Sequence, residues 1–213
     1  MSCLAEPRNI LVDGQIFDLA FSPSPALWVE YSNWKANRDR CGIVGTLIFI
    51  HPVQPCLRNI AFYRAGWKHN QFRVQREFWK NANSGCIDIA VLEWCKIFTE
   101  ARGKHHWSKS VPDEQAFRRG LCAHLGVTEP EFASYGKTIK HYSDKFIAHL
   151  DEEPIMFIPR LRQARRSVAF LYDFLRDDPT TAAFLPDAGK SAREFYASWY
   201  QHAAREYLEG SKA

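Results

Sequence analysis

Thr128-Glu129-Pro130-Glu131 carries two helix-start signals in four residues. The Thr hydroxyl can accept an amide proton of the first turn while the Glu131 side chain reaches back, the reciprocal arrangement of a capping box. Proline in the first turn costs no internal hydrogen bond, because that amide has no helical partner in any case. Phe132, Tyr135, Ile139, Tyr142 and Phe146 follow at helical spacing, so the pattern predicts a helix over 128–150. Ser191-Ala192-Arg193-Glu194 repeats the capping pattern ahead of Phe195, Trp199, Ala203 and Tyr207, and predicts a helix over 191–208.

The segments between give weaker signals of the same kind. Ile87, Ala90, Val91, Trp94, Cys95, Ile97 and Phe98 recur at helical spacing, which predicts a helical stretch over 72–98 with a pause at Asn81-Ala82-Asn83-Ser84-Gly85. Ser110, with Asp113 three residues on, starts a helix over 110–125 that Gly126 closes. Leu161, Ala164, Val168, Leu171 and Leu175 predict another over 159–176. Five or six helices with short links make a mainly α, up-and-down bundle over 58–213. Residues 1–57 read differently. Ile10-Leu11-Val12, Asp13-Gly14 and Gln15-Ile16-Phe17 form a hairpin pattern, since Asp-Gly suits the positive φ angles of such turns. The β-branched run 42–50 has strand character, between prolines at 23, 25, 52 and 55. This segment is either a small sheet or a partly ordered leader.

At 213 residues the chain holds one full core, and fifteen Phe, eight Tyr and seven Trp provide the apolar area to fill it. Six cysteines at wide spacing form no Cys-x-x-Cys pair, so a zinc ribbon is excluded. There is no Gly-rich phosphate loop, nucleophile elbow or His-Glu-x-x-His helix, and neither cofactor nor metal is expected. Residues 1–8 lack a basic region followed by an apolar run, and the run 41–50 is about half the length of a span. No membrane partner and a cytoplasmic location are the expectations.

The net charge of +4 is unevenly spread. Arg58, Arg64, Lys68, Arg73, Arg76 and Lys80 surround the single acid Glu77, and Arg160, Arg162, Arg165 and Arg166 cluster without one. Such runs attract phosphate or form solvated faces. Between helices, Lys104, His105, His106, Trp107 and Lys109 combine cations with an aromatic, the composition that holds single strands. The same loop can equally tuck Trp107 onto the bundle. On the helix opened by Thr128, His141, Lys145 and His149 share one face. His149 could act as a general base with Lys145 steadying an anionic transition state, or could be a histidine bonded where helices meet.

The segment Tyr142-Ser143-Asp144-Lys145-Phe146-Ile147-Ala148-His149-Leu150-Asp151 resembles the signature of the HEPN superfamily, especially its AbiU-like abortive-infection branch. The resemblance covers roughly 72–175, with 88–98 similar to the preceding helix and Ile158-Pro159-Arg160-Leu161 to the entry of the following one. It implies a helical homodimer of a defence or toxin–antitoxin type system, with RNA as ligand and an antitoxin-like protein as partner. Many such proteins are metal-independent ribonucleases whose motif is an Arg, a polar residue and a His. His149 matches the motif His and Asp144 the polar residue, while Ser143 stands where the Arg would. Lys145 could substitute as a point charge without bidentate geometry. Losing one preorganised donor costs about a hundred- to a thousand-fold in rate. The resemblance therefore implies RNA binding with weak or lost endoribonuclease activity, and Ser143→Arg raising it. The alternative is a non-catalytic helical dimer acting as a protein-interaction module.

Overall fold

The computed structural model describes residues 10–12, 15–17, 52–111, 113–148, 158–182, 185 and 189–212. The chain divides into two compact units, Met1–Val44 and Gly45–Ala213. In the first, β1 (Ile10–Val12) pairs antiparallel with β2 (Gln15–Phe17), Ile10 opposite Phe17 and Val12 opposite Gln15. This is the hairpin that the sequence predicts. Its Asp13-Gly14 turn and the strand-prone run 42–50 lie outside the described residues.

The second unit is the expected helical bundle. Its long helices are α1 (Val53–Ala65), α2 (Glu77–Phe98), α3 (Glu114–Leu125), α4 (Glu129–Tyr142), α5 (Arg162–Asp177) and α6 (Ala192–Gly210). Both capping boxes form: the Thr128 and Ser191 side chains accept from the amides of Glu131 and Glu194, whose carboxylates return the bond. Gly126 ends α3 at φ 72°, a left-handed cap that glycine adopts without strain. Asp113 rather than Ser110 caps α3, its carboxylate accepting from the Ala116 amide at 2.9 Å. Helix α5 has no side-chain cap of its own. The Tyr135 hydroxyl of α4 serves instead, donating to the Arg160 carbonyl at 2.8 Å and accepting from the Ala164 amide at 3.0 Å.

Helix α1 is a correction to the sequence reading, which took Pro52 and Pro55 as punctuation. Pro55 falls in the first turn, where its missing N–H breaks no bond. Val53, Cys56, Leu57 and Ile60 are fully buried against Val91 and Trp94 of α2 and Leu171 of α5. Helix α2 is the second correction, running 22 residues without the expected pause. Asn83 points inward, where its side-chain amide donates to the Tyr63 carbonyl at 2.9 Å and the Tyr207 hydroxyl at 2.9 Å. Its oxygen accepts from the Trp67 indole at 3.1 Å. Those bonds anchor a two-residue-per-strand hairpin, β3 (Trp67–Lys68) and β4 (Gln71–Phe72). The turn between them holds His69 at φ 50° and Asn70 at φ 61°, the positive pair that a tight hairpin turn requires.

Gly85 lies inside α2, where an added Cβ meets nothing within 4 Å. Gly85→Ala is therefore expected to stabilise the fold by about 0.5–1 kcal/mol. The check is a higher urea midpoint with unchanged slope; a lower midpoint contradicts it.

Candidate functional site

Helix α4 does not continue as an α-helix through the motif. It passes at Ser143–Ala148 into a π-helical segment, whose wider turns move successive side chains off the α-helical stripe. Of the expected face of His141, Lys145 and His149, His141 is exposed and Lys145 is half-buried, and His149 lies outside the described residues. Tyr142, 3% exposed, fixes this end of α4 on α2 by donating to the Asp88 carboxylate at 3.0 Å. Asp144 accepts from Lys140, one α-helical turn back, at 2.9 Å, with both side chains 49% exposed.

Ser143 is the decisive position. It is 6% exposed and sits against Cys95 of α2. Burial pushes the Cys95 thiol up to about 11, and hydrogen bonding to Thr99 and Ser143 pulls the other way. The thiol is therefore no thiolate nucleophile near neutrality. The position that matches the family's Arg thus points at a helix neighbour, and any cation there would leave water.

The loop over 102–109 divides the same way. Trp107 is 5% exposed, stacks on Phe117 with ring centres 4.7 Å apart, and carries the Arg118 guanidinium at 4.9 Å on its ring. The ring lies against protein, the tucked arrangement that the sequence leaves open beside base stacking. His106, 6% exposed, caps the short 3-10 turn Trp107–Lys109. Burial first, then the Arg118 charge, lower its pKa from the usual value of 6.5. Lys104 and Lys109 are exposed, and His105 is half-buried. In the arginine cluster, Arg165 lies over Tyr196 at 5.0 Å, and Arg166 donates to the Leu125 and His124 carbonyls at the end of α3. Those two serve packing; Arg160 and Arg162 are exposed.

Between the end of α2, that loop, α3 and α4 opens a cleft of ≈ 720 Å³. Its lining includes Trp94, Phe98, Trp107, Phe132 and Gly136, with Arg118, Lys137 and Lys140 as cations and Glu129 as an acid. Phe98 and Phe132 are half-buried and meet edge-on with ring centres 5.6 Å apart. Trp94 lies beneath, 1% exposed, its indole N–H on Ser167 at 2.9 Å. A smaller recess of ≈ 380 Å³ shares Arg118 and Glu129 and adds Arg119. The cleft gathers His106 and Trp107 at one margin and, through Lys140, Asp144 at another; Arg160, Arg162 and Arg165 do not line it. Sequence reasoning missed Arg118, Lys137 and Lys140. The available signal was the spacing of Ala133, Lys137 and Lys140 along one face of α4. No group of three or more His, Cys, Asp or Glu among the described residues could hold a metal ion.

Compared with family models, curated proteins and solved structures, the chain matches none.

Proposed function

We propose that this chain is a HEPN-like helical protein of a defence or toxin–antitoxin type system that binds single-stranded RNA and cleaves it weakly or not at all. The observation that carries the binding is the cleft: half-buried Phe98 and Phe132 supply apolar ring surface, and Arg118, Lys137 and Lys140 stand around it. Bases pack on aromatic rings irrespective of sequence, while cations meet the backbone phosphates. Metal-independent cleavage of RNA needs a general base and a fixed cation on the crowded phosphorane. Buried Ser143 offers no such cation, and Lys140 is shared with Asp144. The homodimer and the antitoxin-like partner that the resemblance implies belong to the same proposal.

The test is incubation of end-labelled single-stranded RNA with purified protein beside His149→Ala. Intact RNA in both reactions supports the reading. Rapid cleavage that His149→Ala abolishes would show that another cation replaces the motif Arg.

A further inference from the structure

The basic run over 58–80 plays no part in the cleft, yet the structure gives it a definite setting. Helix α2 separates the two: Phe98 borders the cleft and Phe78 sits at the other end, about 30 Å away at 1.5 Å per residue. At that far end the rings Trp67, Phe72, Tyr207, Trp79 and Phe78 touch in series, with successive centres 5.2–5.9 Å apart. The two outer members face solvent, Phe78 at 73% exposure and Trp67 at 39%. Around them Arg64, Lys68, Arg76 and Lys80 are exposed, and Arg73 is half-buried with its guanidinium on the Ala65 carbonyl at 2.8 Å. Within 64–80 the acid is Glu77, which pairs with Lys80 at 2.7 Å. The adjoining end of α6 adds Arg205 and Lys212 against Glu206 and Glu209, so cations predominate over the whole end.

We infer that this end of the bundle docks on an anionic lipid surface, with Phe78 and Trp67 entering the headgroup layer and Lys68, Arg73 and Arg76 meeting its charges. Three observations favour lipid over a folded partner or a nucleic acid. Phe78 projects outward rather than lining a recess, and a fluid layer moulds to a projection where a folded partner needs a matching pocket. The β3–β4 hairpin is two residues per strand, too short to template an added strand. Successive rings are tilted 53–83° to one another, and the Trp67 N–H is held by Asn83, so the described rings do not lie parallel as a stacking track. Among the described residues no helix is long and apolar enough to cross a membrane, and docking on the surface needs none. The inference is independent of the RNA reading.

The test is co-sedimentation of the full chain with vesicles of phosphatidylcholine alone and of phosphatidylcholine mixed with phosphatidylserine. Sedimentation with the mixed vesicles only is expected. Lys68→Gln with Arg76→Gln should weaken it about twenty-five-fold, at about fivefold per surface charge, and Phe78→Ser about tenfold, as one buried aromatic contributes. Both variants alter exposed side chains away from the cleft, so neither removes a cation that meets a phosphate there, and RNA affinity should stay within about twofold. Equal sedimentation with both vesicle types, or full binding by Phe78→Ser, overturns the inference. Loss of RNA binding in these variants without any lipid binding overturns it too, and assigns the patch to nucleic acid.

Discussion

Ser143→Arg is expected to cost about 3 kcal/mol or more of stability and to create no ribonuclease activity. The resemblance alone argues the reverse, because the family's Arg would return to its motif position. Position 143, however, is 6% exposed, against the Cys95 thiol and one turn from Lys140. A guanidinium placed there loses its hydration and displaces the packing of α4 on α2. Ser143→Ala, which removes only a hydroxyl, should stay within about 1 kcal/mol. Urea denaturation followed by tryptophan fluorescence separates these outcomes. A Ser143→Arg protein as stable as the parent, and able to cleave RNA, would show that the segment swings to expose this position.

Asn83→Ala is expected to cost about 3 kcal/mol, at about 1 kcal/mol for each strong hydrogen bond removed. The Asn83 side chain joins four elements: it bonds to Tyr63 of α1, Trp67 of β3 and Tyr207 of α6 from within α2. Alanine leaves the Trp67 N–H and the Tyr63 carbonyl without that partner. The neighbouring Gly66 reports the same crowding, since a Cβ there would lie 2.5 Å from the Asn83 amide nitrogen. Tyr207→Phe combined with Asn83→Ala should cost less than the sum of the two, because both remove one shared bond. A destabilisation below about 1 kcal/mol for Asn83→Ala, against that expectation, would mean that water replaces the network.

What could be read from the sequence follows from how local each interaction is. The capping boxes at Thr128 and Ser191 are complete within four residues, and both form as expected. The Asp-Gly hairpin is equally local, and its flanking strands pair. Helix α1 was not legible because its start depends on where a proline falls within a turn, and its residues are buried by α2, α5 and α6. The unbroken α2 was hidden because Asn83 looks like a helix breaker until its distant partners are known. Trp107 shows the limit for sites: an aromatic among cations has the same composition whether its ring faces solvent or lies on Phe117. The cleft draws on four separate segments, so no single motif announces it. The π-helical turn at Ser143–Ala148 likewise leaves no periodicity that the sequence can display.

The most direct test of RNA binding in the cleft is fluorescence anisotropy of a labelled single-stranded RNA, titrated with protein across a range of salt concentrations. With Arg118, Lys137 and Lys140 each meeting a phosphate, log K should fall with log salt at a slope of about −2, from about 0.7 per neutralised phosphate on single strands. Lys137→Glu with Lys140→Glu should weaken binding by about tenfold or more at low salt and reduce the slope by about 1.4. No detectable binding by the parent protein, or an affinity and slope unchanged in the double variant, would contradict the account.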